Sequence, residues 1–142
     1  MKKIIFLLKI ITVYLFFLLE GFATQLNYFD EGKTLFKERK FDKSKIFFEK
    51  DIVFNPKSEK SYLYLAKIYE KDKNDELEEL NLNNVLLLNP KNEEAIYMLI
   101  LLKIKQSDYS ATKEWMEKFT LICKSFCTKE KEIKEKFEKL KP

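Results

Sequence analysis

The sequence predicts an all-α fold of three stacked helix pairs followed by a C-terminal capping helix. Asn55-Pro56-Lys57-Ser58 is nearly repeated as Asn89-Pro90-Lys91-Asn92, 34 residues further on, and a fixed period of that size is typical of stacked helix-pair repeats. Between these markers, apolar residues recur at helical spacing. The repeat units therefore span residues 25–58, 59–92 and 93–126, and the capping helix lies within residues 127–142.

Residues 1–23 predict export from the cytoplasm. A basic start precedes the apolar run 4–19, and Gly21 and Ala23 supply the small residues of a cleavage site, which is the order of a secretory signal. A helix over this run spans about 24 Å, less than the roughly 30 Å of a bilayer's hydrocarbon core, and Lys9 interrupts it. A cleaved signal is therefore favoured over an uncleaved anchor. The two interpretations make the protein periplasmic or tethered to the inner membrane.

Each unit is expected to form two helices joined by a turn. In the first unit the turn lies at Phe41-Asp42, and the second helix ends at Asn55-Pro56 because proline disfavours helix at the residue before it. Ser58 and Asn92 precede the second and third units, where a polar side chain can accept a backbone N–H of the first helical turn.

The C-terminal part differs from the first two units. Lys124 stands where those units have proline, which suits a last unit because no further repeat follows it. The stretch after it carries Ile133 and Phe137 on one face and lysine or glutamate elsewhere. This pattern predicts an amphipathic helix that covers the last pair and exposes its polar side.

Equivalent positions of the units carry similar residues. The matches are Tyr28, Tyr62 and Ile96; Gly32 and Ala66; Leu35 and Tyr69; Phe48, Leu82 and Met116; and Pro56 and Pro90. On these residues the chain resembles the tetratricopeptide repeat family, whose units place an aromatic, a small and a bulky residue in their first helix and a proline at their end. The resemblance implies a superhelix that binds other proteins. Asp51 and Glu78 depart from the pattern, because the family prefers small residues there, and looser packing is expected around both.

The resemblance also implies where a partner binds. In the family, one face of the first helix of every unit lines a concave groove. The corresponding positions here are Phe29, Lys33, Phe36 and Lys37 in the first unit, Leu63, Lys67 and Lys71 in the second, and Tyr97, Leu101, Ile104 and Lys105 in the third.

Five of these positions form a basic ladder. Lys37, Lys71 and Lys105 recur every 34 residues, and Lys33 matches Lys67 in the same way. Such a ladder beside apolar side chains suits an acidic and apolar protein or peptide partner. The alternative is that lysines near the C-termini of helices only complement the helix dipole. The Asn and Arg/Lys arrangement with which some family members clamp a chaperone's terminal carboxylate is absent.

Cys123 and Cys127 are four residues apart and would share a face on a continuous helix. Two small apolar packing residues are the favoured interpretation. An export signal raises the alternative of a disulfide that ends the last helix of the third unit at this point. A metal site would need two further ligands that this stretch lacks.

Composition argues against an enzyme. The chain has no histidine, which removes the commonest general base and the commonest nitrogen ligand of zinc, and it has no glycine-rich phosphate loop. We therefore expect no catalytic site, no metal and no cofactor. The 27 basic and 23 acidic residues are too balanced for a nucleic-acid-binding face, so no nucleic acid is expected as a partner.

The expected function is a non-enzymatic protein-interaction scaffold of the bacterial cell envelope that holds a partner peptide or helix in its groove. The alternative is a periplasmic chaperone or assembly factor for envelope or outer-membrane proteins. Membrane contact is expected only through the N-terminal segment, and the oligomeric state is left open.

Overall fold

The computed structural model describes residues 27–139, so the expected export segment, residues 1–23, lies outside the described part. Seven α-helices and one short 3-10 turn account for most of it, and they confirm the expected all-α fold. The helices are α1 (Tyr28–Lys37), α2 (Phe41–Phe54), α3 (Glu59–Lys71), α4 (Asp75–Leu88), α5 (Glu93–Lys105), α6 (Tyr109–Ile122) and α7 (Glu130–Glu138), and the 3-10 turn is Cys127–Lys129. Among residues 27–139, no helix is long and apolar enough to cross a membrane.

The first six helices form three antiparallel pairs, so every pair begins and ends at the same edge of the stack. Tyr28 at the start of α1 stacks on Phe54 at the end of α2, with ring centroids 5.4 Å apart. Glu59 at the start of α3 accepts hydrogen bonds from the side-chain amides of Asn89 and Asn92, just after α4. We call this side the N-terminal edge and define it by the loops 55–58, 89–92 and 123–126. The turn edge opposite consists of residues 38–40, 72–74 and 106–108.

A carboxylate at the start of a pair holds the loop that ends the same pair. Glu93, 34 residues after Glu59, accepts hydrogen bonds from the backbone N–H groups of Lys124 (2.8 Å) and Phe126 (2.9 Å). These hydrogen bonds lower the pKa of Glu93, because they favour its charged form. The third pair, which lacks the proline, thus closes its loop through Glu93.

The two expected N-caps have different outcomes. Asn92 caps α5 by accepting the N–H of Ala95 at 2.8 Å, as predicted. Ser58 stands at the N-cap position of α3 as predicted, but its side chain makes no capping hydrogen bond. Its hydroxyl donates instead to Ser61 (3.0 Å), whose hydroxyl donates in turn to Asp51 at 2.5 Å. The Asp51 carboxylate is therefore satisfied at the contact between α2 and α3, where looser packing was expected.

The helices of the first pair approach closely because a glycine faces a phenylalanine. A Cβ atom added at Gly32 would lie only 2.9 Å from the ring of Phe48, which is itself fully buried. The equivalent of Gly32 in the second pair is Ala66, also fully buried. Small residues at this position keep the two helices of a pair in contact.

The central core forms between the second and third pairs and draws on three helices. Its buried members are Leu63, Ala66, Leu82, Val85, Ala95, Met98, Leu99 and Leu102. The expected capping helix, α7, covers the last pair: Ile133 is buried, and the ring of Phe137 stacks on Tyr109 at 4.6 Å. The stack is thus closed at its C-terminal end by an amphipathic helix whose polar side faces water.

Each turn of the turn edge contains one residue in the left-handed region. Arg39, Lys73 and Ser107 have φ angles of 61°, 56° and 58°, and they recur every 34 residues. The next residue in each turn donates its N–H to a carbonyl of the preceding helix, for example Asn74 to Tyr69 at 3.0 Å. This hydrogen bond is the mark of a Schellman C-cap, which is usually made with glycine. All three positions therefore carry backbone strain that glycine would relieve.

Replacing Arg39, Lys73 and Ser107 together by glycine is expected to raise the melting temperature. At each site, glycine removes the cost of about 1–2 kcal/mol that a residue with a Cβ has in the left-handed conformation. The greater freedom of glycine in the unfolded chain lowers this gain in the free energy of unfolding by about 0.5–1 kcal/mol. Thermal unfolding followed by circular dichroism measures the change. Lys43→Gly, within α2, serves as the control and should lower stability by about 1 kcal/mol. A lower melting temperature for the triple variant would contradict this account.

Candidate interaction groove

The groove side of α1 and α3 brings lysine ammonium groups over aromatic rings. Lys33 and Lys60 both lie over the ring of Phe29, at 6.0 and 5.9 Å from its centroid. Lys67 lies 5.0 Å from the centroid of Tyr64, and Lys71 lies 5.3 Å from that of Phe41. These distances allow cation–π attraction, which holds the lysine side chains against the protein surface. The surface between α1 and α3 is therefore both basic and aromatic.

The rings under these lysines form one aromatic cluster. Tyr64 contacts Phe36, Phe48 and Phe29, with centroids 5.0, 4.9 and 5.8 Å apart. Phe29 and Phe36, expected to line the groove, thus also pack the first pair against the second. Tyr64 was not among the predicted groove residues. Tyr62 and Tyr64 are two residues apart and point to different sides of α3, which indicates that one of them faces the first pair.

The predicted basic ladder is only partly available to a ligand. Lys67 forms an ion pair with Glu94 at 2.7 Å, and Lys105 forms one with Asp75 at 2.5 Å. The hydrogen bond from Lys105 to Asp75 also raises the pKa of this lysine. Lys37 and Lys71 are exposed in the last turns of α1 and α3, and the described part of the chain offers neither an ion-pair partner. Within the predicted ladder, the lysines without an ion-pair partner therefore lie on α1 and α3.

The groove is covered at its C-terminal end. The hydroxyl of Tyr97 donates to Glu132 of α7 at 3.1 Å, and the ring of Tyr97 lies against Phe126 and beneath Lys129. Hydrogen bonds from Lys136 and Lys129 lower the pKa of Glu132 to about 2. The segment after the third pair therefore covers Tyr97, a position predicted to contact a partner.

Three other predicted groove residues have different environments. Leu63 lies in the central core with only 9% of its surface exposed, because its side chain faces α5. Ile104 packs beside the core formed by Ile100 and Ile133, and Leu101 is half-buried. Leu63 and Ile104 thus support the groove from behind.

The middle pair contains a buried carboxyl group. Glu78 occupies the position held by Ser44 in the first pair and Thr112 in the third, and all three side chains are buried. Burial raises the pKa of Glu78 to about 7, and the negative charge of Glu70 adds to the effect, whereas Lys105 opposes it. The glutamate at this position of the repeat is therefore a carboxyl that titrates near neutral pH.

The structure joins Cys123 and Cys127 by a disulfide, with the two Cα atoms 5.2 Å apart. Helix α6 ends at Ile122, and Cys123 has an extended backbone, so the two cysteines do not share one continuous helix. Elsewhere too, the described residues contain no group of three or more acidic or cysteine side chains placed to hold a metal ion.

Comparison with solved structures identifies the fold. The chain aligns with the first TPR domain of Spaghetti (RPAP3) bound to the HSP90 peptide SRMEEVD, with a TM-score of 0.72 and 17% sequence identity. The alignment covers 81% of this chain and 91% of that one. The fold is a tetratricopeptide-type superhelix. No protein-family model and no curated protein sequence matches the chain.

Glu78 stands where the other two pairs have Ser44 and Thr112, and a pH titration tests its role. The pKa is about 7 in the folded protein against an ordinary value of 4.5, so the stability conferred by protonated Glu78 is fully present below about pH 4.5 and is lost as pH rises through 7. A shift of that size corresponds to on the order of 3 kcal/mol. Glu78→Thr is therefore expected to be more stable than the wild type at pH 8 and much less sensitive to pH.

Urea unfolding between pH 5 and pH 8 measures this difference. Glu76→Thr, at an exposed site in the same first turn of α4, provides the matched control and should keep the pH dependence of the wild type. Parallel pH curves for Glu78→Thr and the wild type would show that the carboxyl does not titrate in this window.

Proposed function

We propose that this protein is a non-enzymatic interaction scaffold that binds an acidic, partly apolar peptide segment in the groove between α1 and α3. The observation that carries the proposal is the set of lysines over aromatic rings on these two helices, with Lys37 and Lys71 exposed beside them. The peptide bound to the structurally similar TPR domain, SRMEEVD, combines acidic and apolar residues of this kind. This supports a ligand of that chemistry here.

The groove supplies two kinds of contact at once. We place carboxylates of the peptide against Lys33, Lys37 and Lys71, and its apolar side chains against the half-buried rings of Phe29 and Phe41. The ion pairs at Lys67 and Lys105 reduce the attraction towards the third pair, so we place the ligand over the first two pairs. Since the carboxylate-clamp arrangement is absent from the sequence, an internal acidic segment serves as well as a free C-terminus.

Charge reversal at Lys37 and Lys71 is expected to weaken peptide binding at least tenfold, because two attractive contacts become repulsive. Fluorescence anisotropy with labelled SRMEEVD measures the effect. The matched control reverses Lys43 of α2 and Lys113 of α6, exposed lysines on the second helices of their pairs, and should leave affinity within about twofold. Wild-type binding is also expected to weaken as added salt shortens the Debye length below about 10 Å.

Two further peptides sharpen the test. The amidated form of SRMEEVD should bind like the free acid, and SRMQQVN, which lacks the three side-chain carboxylates, should not bind measurably. Equal affinity for SRMEEVD and SRMQQVN would favour the chaperone alternative, since a chaperone recognises exposed apolar residues in many clients. Equal losses in the groove variant and the control variant would place the binding surface elsewhere.

We further propose that the protein works in a bacterial cell envelope, exported to the periplasm or tethered to the inner membrane. The support is the order of basic, apolar and small residues in residues 1–23. The Cys123–Cys127 disulfide is a second support, because disulfides persist in oxidising compartments outside the cytoplasm.

Mass spectrometry of the protein from intact cells is expected to find a chain beginning near Thr24, or an intact chain in the membrane fraction. In both cases Cys123 and Cys127 should resist alkylation until a reductant is added. A soluble cytoplasmic species with intact Met1 and two reactive thiols would overturn the envelope location.

A further inference from the structure

Three large apolar side chains are exposed at equivalent positions of the three pairs. Val53, Leu87 and Leu121 are 73%, 81% and 84% exposed, and they lie 34 residues apart in the last turns of α2, α4 and α6. Single exposed apolar residues are common on protein surfaces. A set at one position of every repeat is different, because the stacking of the pairs places all three along the N-terminal edge.

The three loop segments of the same edge are basic. The segments 53–58, 87–92 and 121–126 contain Lys57, Lys91 and Lys124 and no acidic residue. These three lysines are exposed, and no ion pair involves them within residues 27–139. Carboxylates lie in the first turns of the helices that start at this edge: Glu59 and Glu93 are hydrogen-bonded to its loops, Glu94 pairs with Lys67, and Asp30 and Glu31 are exposed at the start of α1. Along the three loop segments themselves, apolar and basic side chains alternate.

The apolar run of the sequence joins the described part at this edge. Helix α1 begins there, and residues 20–26 connect it to the run 4–19. At no more than about 3.6 Å per residue, this connection reaches at most roughly 25 Å. Whatever surface receives the apolar run must therefore lie within that distance of the start of α1.

We propose that the N-terminal edge is a second membrane contact and lies on an anionic bilayer surface. Val53, Leu87 and Leu121 enter the interfacial region, and Lys57, Lys91 and Lys124 lie among the anionic headgroups, as in surface-bound amphipathic segments. Membrane contact thus extends beyond the N-terminal segment to which the sequence confined it. The inference rests on the tethered form of the proposed envelope location and is independent of peptide binding in the groove.

A second copy of the chain fits this edge less well. Pairing two such edges would bring the loop lysines of both copies together, with exposed carboxylates only at one end, where Asp30 and Glu31 begin α1, and like charges in contact oppose association. An anionic lipid surface neutralises the same lysines. The charge of the edge therefore favours lipid over a copy of the protein.

Tryptophan fluorescence in vesicles tests the proposal on the full chain. Trp115 is the single tryptophan of the sequence, so Trp115→Phe provides a background for one new probe. Leu121→Trp places the probe at the N-terminal edge, and Ser110→Trp places a matched probe at an exposed site near the other end of the same helix. The vesicles contain brominated phosphatidylcholine, a quencher of tryptophan, with or without phosphatidylglycerol.

In vesicles with phosphatidylglycerol, bromine is expected to quench the Leu121→Trp probe at least threefold more than the Ser110→Trp probe. Replacing Lys57, Lys91 and Lys124 by glutamine should reduce that ratio at least twofold. Equal quenching of the two probes would overturn the proposal. The proposal would also be overturned if the emission of the edge probe shifted with the amount of protein per vesicle but bromine did not quench it. A second copy of the chain would then cover the edge.

The anisotropy assay with SRMEEVD on the same samples separates this proposal from the groove. The edge variants are expected to bind the peptide like the wild type. If the edge probe is preferentially quenched but no sample, the wild type included, binds the peptide, the proposed ligand is wrong and the membrane contact still holds.

Discussion

The contact between neighbouring helix pairs is the constraint on which the rest of the structure depends. Neither the second nor the third pair buries its apolar face alone, and the central core takes side chains from α3, α4 and α5. This burial fixes the orientation of each pair relative to the next, so equivalent residues lie in rows along the stack. The groove, the N-terminal edge and the strained turns are all consequences of that alignment.

Alignment also explains why small departures from the repeat have local effects. Glu78 stands where the other pairs have a buried serine and threonine, and it must keep its carboxyl in the same confined space. Asp51 is accommodated differently, since the Ser61 hydroxyl meets it at the contact between α2 and α3. The two acidic residues therefore differ in consequence: Asp51 accepts a hydrogen bond, and Glu78 titrates near neutral pH.

The C-terminal segment both closes the stack and shortens the available groove. Helix α7 covers apolar side chains of the last pair that a fourth pair would otherwise bury. Its Glu132 reaches Tyr97, so a residue of the groove face becomes part of the cap. Tyr97 therefore stabilises the cap instead of being free to bind a partner. The open part of the groove is the first two pairs, where the lysines without ion-pair partners lie.

The sequence by itself determined the helix pairs, because periodic apolar residues, the 34-residue repeat and the Asn-Pro markers act locally or at a fixed spacing. It also identified Lys33, Lys37 and Lys71 as a basic set, since their recurrence needs no knowledge of neighbouring side chains. The tertiary structure decided which positions are free. Leu63 is drawn into the core, Lys67 and Lys105 find carboxylates 27 and 30 residues away in the chain, and Tyr97 is covered by α7. These outcomes depend on contacts between neighbouring pairs. Which side chain a residue contacts is set by how closely two helices of different pairs pack, and the sequence of a single repeat does not show this.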